Sequence, residues 1–449
     1  MIGASKLLNE LKQVVKRSQA DATIVCAEAS TRRVARFAYE NIHQDLVQES
    51  LTVYVKVILN KRVGVAVTDT FERAGLARCL RAAQEIAKHA PPAKHLPALP
   101  GGHRLVTDED VVQRTLQVPP EEFLKTLKRL FQLCQGAGAQ LAGSFATGED
   151  ELAVANSNGV ACYHASTVAG AKLVTMYRKL SGYASGIDRD ISRLDLEPLL
   201  ERALKQCLHR RDPVTLPVGT YEVILEPEAV AELVMWLGYI AFGAKSFQER
   251  TSFLAGRIGE SLMARGISIV DDGTDPDGLR LPFDFEGVPK QRVPLIERGK
   301  ASGIVYDSAY GLLYGRPSTG HAPPPTDTEG PIPSHLFMGP GAKRRDELIR
   351  SCRRGLLIPR FHYVSGLLNP REALMTGLTR EGACLIEDGK LSAPITTMRF
   401  TQSLLEAFQH VLGISKERTL IADAIHDTGS AVMPTLHLAK FRFTGRSER

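Results

Sequence analysis

The chain has 449 residues, of which 43% are hydrophobic, 24% charged and 6% aromatic, and 56 basic residues against 50 acidic ones leave a net charge of +6. This composition excludes disordered, collagen-like and low-complexity classes, and the length predicts two to four domains at ~100–200 residues each. No run approaches the ~20 apolar residues of a membrane-spanning helix, and Met1 to Ser18 has no apolar core or small-residue cleavage site, so a cytoplasmic protein without a membrane partner is expected.

Leu7, Leu8, Leu11, Val14 and Val15 recur at helical spacing. β-rich runs follow at 22–27, 32–39 and 51–59, and a tight turn at 60–62 leads into 63–68 as a hairpin. An alanine-rich helix is predicted over 71–89, then a linker with Pro91, Pro92, Pro97, Pro100, Gly101 and Gly102. Pro119, Pro120 and Glu121 open a helix running to Cys134, with proline near its first turn and acids behind it. Strands are predicted at 141–147, 151–155 and 160–177, with a turn at 156–159, and a helix at 196–210. Two successive helix–meander units predict an α+β domain over 1–213, repeated in order of elements but not in residues.

Asp212-Pro213 and Leu216-Pro217-Val218-Gly219 mark a break before a second domain over 218–449. It opens with a strand at 221–225 and a helix from Pro227 whose Val230, Leu233, Val234, Leu237, Ile240 and Ala241 share a face. Short strands and glycine turns follow. The stretch 315–333 is a long Gly/Pro/Thr loop, a type commonly functional or mobile.

Seven scattered cysteines, none in C-x-x-C spacing, predict reduced and mostly buried thiols. No two of the twelve histidines are four or five residues apart, which excludes H-E-x-x-H and H-E-x-x-x-H zinc helices. G-x-S-x-G, P-loop and G-x-G-x-x-G motifs are also missing. Lys343, Arg344, Arg345, Arg350, Arg353 and Arg354, interleaved with Asp346 and Glu347, read as a solvated helix ending at Gly355 and not as a polyanion site. Asp271 to Gly278 reads as a tight acidic turn after a strand at 267–270. In an EF-hand register Gly273 would occupy a ligand position and Asp284 would replace the closing glutamate. Glu228 and Glu232, four apart near a helix start, read as surface acids favoured by the dipole. Cys352 and His362 lie ten residues apart, and Cys352 is expected to be structural.

Several ordered blocks resemble the TldD/PmbA family, also called modulator of DNA gyrase. They are Ser252-Phe253-Leu254-Ala255-Gly256, Val270-Asp271-Asp272-Gly273-Thr274, Ser318-Thr319-Gly320-His321-Ala322 and Asn369-Pro370-Arg371-Glu372. Further blocks are Thr376-Gly377-Leu378-Thr379-Arg380, Ile386-Glu387-Asp388-Gly389-Lys390, Arg399-Phe400-Thr401-Gln402-Ser403 and Phe441-Arg442-Phe443-Thr444-Gly445. The resemblance implies an α+β fold: an N-terminal helix and antiparallel-sheet domain followed by a strand-rich, barrel-like C-terminal domain. It also implies a dimer enclosing a peptide-accepting cavity.

The family's catalytic branch, TldD, binds zinc through H-E-x-x-x-H on a helix and a cysteine near the C-terminus. Counting between blocks places that motif at Met235-Trp236-Leu237-Gly238-Tyr239-Ile240 and the cysteine near Leu420, and none of the ligands is present. The resemblance therefore implies the TldE/PmbA branch, with no catalytic residue, metal or cofactor in this chain. Zinc is expected in a TldD-like catalytic subunit, partnered as a heterodimer (or a homodimer when this chain is alone). Unfolded peptides such as leader peptides and small proteins are the implied substrate. The expected peptide- or partner-facing residues are Ser318, Thr319, His321, Arg371, Thr376, Arg380, Arg399 and Gln402, with the arginines alternatively pairing with Glu372 or Glu381. Two other readings compete. One is a metallopeptidase in its own right, using His321, His362 or His426 with acids. The other is a gyrase- or DNA-modulating protein, against which the small charge excess argues.

Overall fold

The computed structural model describes residues 1–102, 104–208, 212–422 and 429–446. Helix α1 (Ala4–Arg17) buries Leu7, Leu8, Leu11 and Val14 along one face. A meander of β1 (Ala22–Ala38), β2 (Asn41–Leu59) and β3 (Arg62–Thr68) follows. Its second hairpin turns at Asn60 and Lys61, both at positive φ, the two-residue turn whose twist matches flanking strands. Helix α2 (Arg73–His89) packs on β3 so closely that a Cβ at Gly64 would lie 2.1 Å from the Ala83 carbonyl oxygen.

After β4 (Arg104–Asp110) and α3 (Gln113–Leu116), helix α4 (Pro120–Gly136) leads into a second meander. Its strands are β5 (Gln140–Asn156), β6 (Ala161–Tyr177) and β7 (Leu180–Asp188), and α5 (Leu196–Cys207) closes the unit. The two meanders make one sheet, joined where β1 runs antiparallel to β5 from Ile24↔Asn156 to Ala38↔Ala142. All its pairs are antiparallel except β4 with β6. The repeated order of elements thus becomes two halves meeting at their first strands. Strands β1 and β5 are continuous where the sequence predicts two pieces each. Their polar middles are satisfied across the sheet: Arg32 Nη1 donates to the Glu149 carbonyl at 2.6 Å, and the Ser30 and Ser50 hydroxyls lie 2.7 Å apart.

Alternation along these strands divides the core. Val25, Ala27, Val53, Val55 and Val57 face α1 and α2, while Ala35, Phe37, Leu141 and Leu173 face α4 and α5. Ile24, Cys26, Leu152 and Val154 point the other way and enclose Phe283 of the C-terminal domain.

The C-terminal domain begins with β8 (Gly219–Leu225), α6 (Pro227–Ala241) and α7 (Ala244–Gln248). Next come β9 (Ile269–Asp271), β10 (Val293–Glu297), β11 (Lys300–Ala301), α8 (Ser308–Tyr314) and β12 (His335–Met338). Helix α9 (Arg345–Ser351) precedes β13 (Arg354–Ile358), β14 (Phe361–Asn369), β15 (Leu374–Thr379), β16 (Cys384–Glu387) and β17 (Lys390–Pro394). The last elements are β18 (Met398–Ser403), α10 (Leu404–Gln409), β19 (Val411–Ile421) and β20 (Ser430–Arg446). Residues 315–333 hold no helix or strand, as the sequence predicts.

Among the described residues these strands form one thirteen-stranded sheet in the order β11-β10-β9-β12-β20-β8-β13-β16-β17, with β14-β15-β18 and β19 joining at β20. It does not close into a barrel. The long β20 changes partners along its length, from β12 and β19 to β8 and then β18, so the sheet branches and keeps open edges. Val223, Leu225, Leu356 and Ile358 face α6, while Ile224, Leu357, Cys384 and Ile386 face α9 on the opposite side. The predicted basic helix is shorter than expected: α9 ends at Ser351, Cys352 is extended, and Arg353 and Arg354 lie beyond it. No helix among the described residues is long and apolar enough to cross a membrane.

Candidate functional site

Helix α6 starts at Pro227, whose missing N–H is no loss in a first turn, and positions 235–240 form its last turns. Leu237, Gly238 and Ile240 are buried there, whereas Met235 and Tyr239 are 39% and 41% exposed. Trp236 is half-buried, its ring edge-on to Tyr239 at 5.8 Å. Where a zinc helix would present imidazoles, α6 presents thioether, indole and phenol.

Strand β14 lies against this helix. A Cβ at Gly366 would come 2.8 Å from the Trp236 ring, so the glycine lets the indole rest on the strand. Among the described residues β14 pairs with β15 alone, leaving its other edge open. It also exposes Tyr363 (79%), Leu367 (59%) and Leu368 (48%). At the other end of α6, Glu228 differs from the expected surface acid. It is half-buried, Arg202 of α5 donates to it at 3.0 Å, and burial raises its pKa.

A second feature is a buried ionic centre at the end of β9. Asp271 Oδ2 accepts the backbone N–H groups of Ser334 and His335 at 2.9 and 2.7 Å, and His321 Nε2 donates to Oδ1 at 2.5 Å. Burial alone would raise the Asp271 pKa. The charge and hydrogen bond of His321, with Lys290 and His335, outweigh burial and hold the carboxyl well below the usual range. Lys290 is buried beside it, its pKa lowered by burial, and its Nζ donates to Ser334 Oγ at 3.2 Å. The lysine fits because Gly273 and Gly320 lack side chains: a Cβ at either would come within 2.7 Å of it. Asp272, the next residue, makes the predicted turn by accepting from Thr274 N at 3.0 Å.

Nearby Asp284 accepts from the N–H groups of Glu286, Val288 and Ala322 at 2.8–2.9 Å. Burial and the Glu286 charge raise its pKa to about 7. This centre pins the 315–333 loop to the sheet.

The domains meet at residues 279–287. Phe283 is fully buried in the N-terminal sheet, and Arg280 binds Asp110 of β4. A cavity of about 220 Å³ lies between the domains, lined among others by Glu28, Arg32, Asp150, His164 and Arg189. Burial raises the pKa of Glu28 and Asp150 and lowers that of His164. His164 Nε2 lies 3.0 Å from the Arg280 carbonyl, and its buried Nδ1 has no hydrogen-bond partner among the described residues. Sequence reasoning missed these residues, because a lone histidine in a β-run carries no motif.

The residues singled out by resemblance do not converge on one site. Ser318, Thr319 and His321 belong to the Asp271 centre: Thr319 Oγ1 lies 3.0 Å from His321 Nδ1, and Ser318 Oγ donates to the Tyr306 carbonyl at 3.2 Å. His321 is buried, so its ring is spent on Asp271 and Thr319. Thr376 Oγ1 donates to the Phe400 carbonyl at 2.7 Å, and the buried Gln402 accepts from Arg442 N at 2.9 Å. Arg371 Nε donates to the Arg250 carbonyl at 2.7 Å rather than to Glu372, whereas Arg380 pairs with Glu381 at 2.9 Å. Arg399 is exposed. The His362 ring lies tilted against Tyr363 at 4.0 Å, and His426 lies outside the described residues. All seven cysteines are buried thiols outside any disulfide.

Residues 218–445 match the family described as PmbA/TldA metallopeptidase C-terminal domain. The "Metalloprotease TldD homolog" of Haemophilus influenzae is 27% identical over 230 residues, 49% of this chain and 46% of that one, so the match spans about half of that relative's length. "Metalloprotease PmbA" of Escherichia coli is 23% identical over 406 residues, 87% of this chain and 85% of the relative. In fold, the chain is similar to the crystal structure of TldE from Thermococcus kodakarensis, with a TM-score of 0.88 and 22% identity over 98% of this chain and all of that one. The chain therefore belongs to the TldD/PmbA metallopeptidase family.

Proposed function

We propose that this chain is a non-catalytic, TldE/PmbA-like subunit that pairs with a zinc-bearing TldD-like partner and presents unfolded peptide to it. One observation carries the reading. The last turns of α6, where counting between the family's sequence blocks puts the zinc ligands of the catalytic branch, hold Met235, Trp236 and Tyr239 and lie against β14, whose second edge is unpaired among the described residues. Positions 235–240 carry no imidazole, carboxylate or thiolate with which to hold zinc. The strand beside it offers unpaired backbone groups, to which an extended peptide or a partner strand can add by main-chain hydrogen bonds that demand little sequence. Hydrolysis then belongs to zinc in the partner, which activates water there.

The test combines this purified chain with a TldD-like partner and an unfolded peptide. Cleavage is expected only when the partner is present, and faster in the mixture than with the partner alone. Equal cleavage by the partner alone would sink the proposal.

A further inference from the structure

The sequence pairs Cys352 with nothing, yet the fold surrounds its thiol. Glu222 of β8 and His437 of β20 lie on the sheet face beneath α9, and Cys352 follows that helix. The His437 Nε2 and Glu222 Oε1 atoms are 2.6 Å apart, although 215 residues separate them in sequence. One ligand atom from each of Glu222, Cys352 and His437 lies within 4.8 Å of the others. Gly355 makes the room: a Cβ there would lie 2.6 Å from the Cys352 sulfur and 2.6 Å from the Glu222 carbonyl oxygen.

We infer that Glu222, Cys352 and His437 form a site for a zinc ion that clamps α9 to the sheet. Thiolate, imidazole and carboxylate are the donors zinc prefers, and on one ion their donor atoms would sit ~3.3–3.8 Å apart, a contraction for the widest pair and an opening for the 2.6 Å pair. The histidine's other nitrogen is already oriented. Nδ1 lies 3.4 Å from Ser351 Oγ, whose own proton goes to the Leu348 carbonyl at 2.8 Å, leaving Oγ as an acceptor. On binding, the imidazole carries its proton on Nδ1, facing Ser351, and Nε2 turns its lone pair to the metal. The thiol proton leaves to solvent, and sulfur and Glu222 supply the remaining electron pairs. Cys352 and His437 are buried and the Glu222 side chain is 28% exposed, so the ion enters from the Glu222 side and water completes its coordination. The site is separate from positions 235–240 and does not rest on the subunit role proposed above.

The full chain, stripped with a chelator, is titrated with cobalt(II) as a spectroscopic stand-in for zinc. One equivalent is expected to give a near-ultraviolet thiolate-to-cobalt charge-transfer band. Zinc is expected to displace the cobalt and raise the melting temperature. Cys352→Ser is expected to abolish the band and Cys384→Ser to retain it, with circular dichroism confirming that both fold. Ser351→Ala is expected to weaken binding by about 10-fold while leaving the band. A wild-type chain with no such band at stoichiometric cobalt would overturn the inference, as would a band that survives in Cys352→Ser.

Discussion

Arg280 of the C-terminal domain grips both carboxylate oxygens of Asp110 in the N-terminal sheet, with Nε 3.0 Å from each and Nη2 2.7 Å from Oδ1. Arg189 donates to the same carboxylate, which is only 4% exposed. Removing Asp110 would leave two guanidinium groups facing each other at a buried seam. Asp110→Ala is expected to destabilise the chain by about 3–5 kcal/mol, the range for breaking a buried ion pair on one side. Arg280→Ala is expected to cost less, because Arg189 remains. Urea unfolding checks both, and an unchanged Asp110→Ala midpoint would show that this contact does not hold the domains together.

Phe283 supplies the apolar half of the same seam. Its ring sits among Ile24, Cys26, Leu152, Val154 and Cys162. Phe283→Ala should lose about 3–5 kcal/mol through transfer and cavity terms. Phe283→Leu should lose under about 1.5 kcal/mol if the space can be refilled. Because the ring couples two cores, the alanine variant is expected to melt in two steps, seen as separated calorimetric peaks. A single unshifted peak would count against the coupling.

Local patterns were legible in the sequence and long-range gatherings were not. The α1 face was readable because Leu7, Leu8, Leu11 and Val14 obey the helical period by themselves. The turn at Asn60 and Lys61 was readable because it breaks two apolar runs. The middle of β1 was not: Glu28 and Ser30 fall between two predicted strands until β2 supplies Tyr54 and Ser50 as partners. Asp271 is the sharper case. Its neighbour Asp272 does make an ordinary acidic turn, but Asp271 turns inward to His321 of the 315–333 loop and to the backbone N–H groups of Ser334 and His335 just after it. Glu222, Cys352 and His437 share no local spacing at all: the register of β8 with β20 brings Glu222 and His437 together, and the end of α9 adds Cys352.

The two buried carboxylates give opposite pH dependences. Asp284 titrates near 7 in the fold because burial and Glu286 oppose its charge, against an ordinary carboxyl value of about 4. Between those values the native chain binds more protons than the unfolded one, so this group's contribution falls as pH rises from about 4 to about 7. Asp271 has a lowered pKa, so its contribution is present above the ordinary carboxyl value and is lost as pH falls through its native one. Glu286→Gln removes the charge that pushes Asp284 up while keeping an acceptor for Ser308 N. The variant is expected to flatten the decline in urea midpoint between pH 5 and about 7. A slope identical to wild type would show that Glu286 does not set the Asp284 titration.

The apolar edge of β14 tests the proposed partnership. Leu367 and Leu368 are 59% and 48% exposed, so a charge at either disturbs solvent contacts rather than the core. Leu367→Glu and Leu368→Glu are therefore expected to leave stability within about 0.5 kcal/mol of wild type. Buried under a partner, the same glutamates would be desolvated without a counter-ion, and each would weaken association at least about 10-fold, or 1.4 kcal/mol. Val106 of β4 is 50% exposed on the other domain, which makes Val106→Glu a matched control expected to bind normally. Sedimentation with a TldD-like subunit reads all three variants. Full binding by both β14 variants would place the partner's contact elsewhere. Loss by the control as well would mean that added surface charge, and not the β14 edge, governs association.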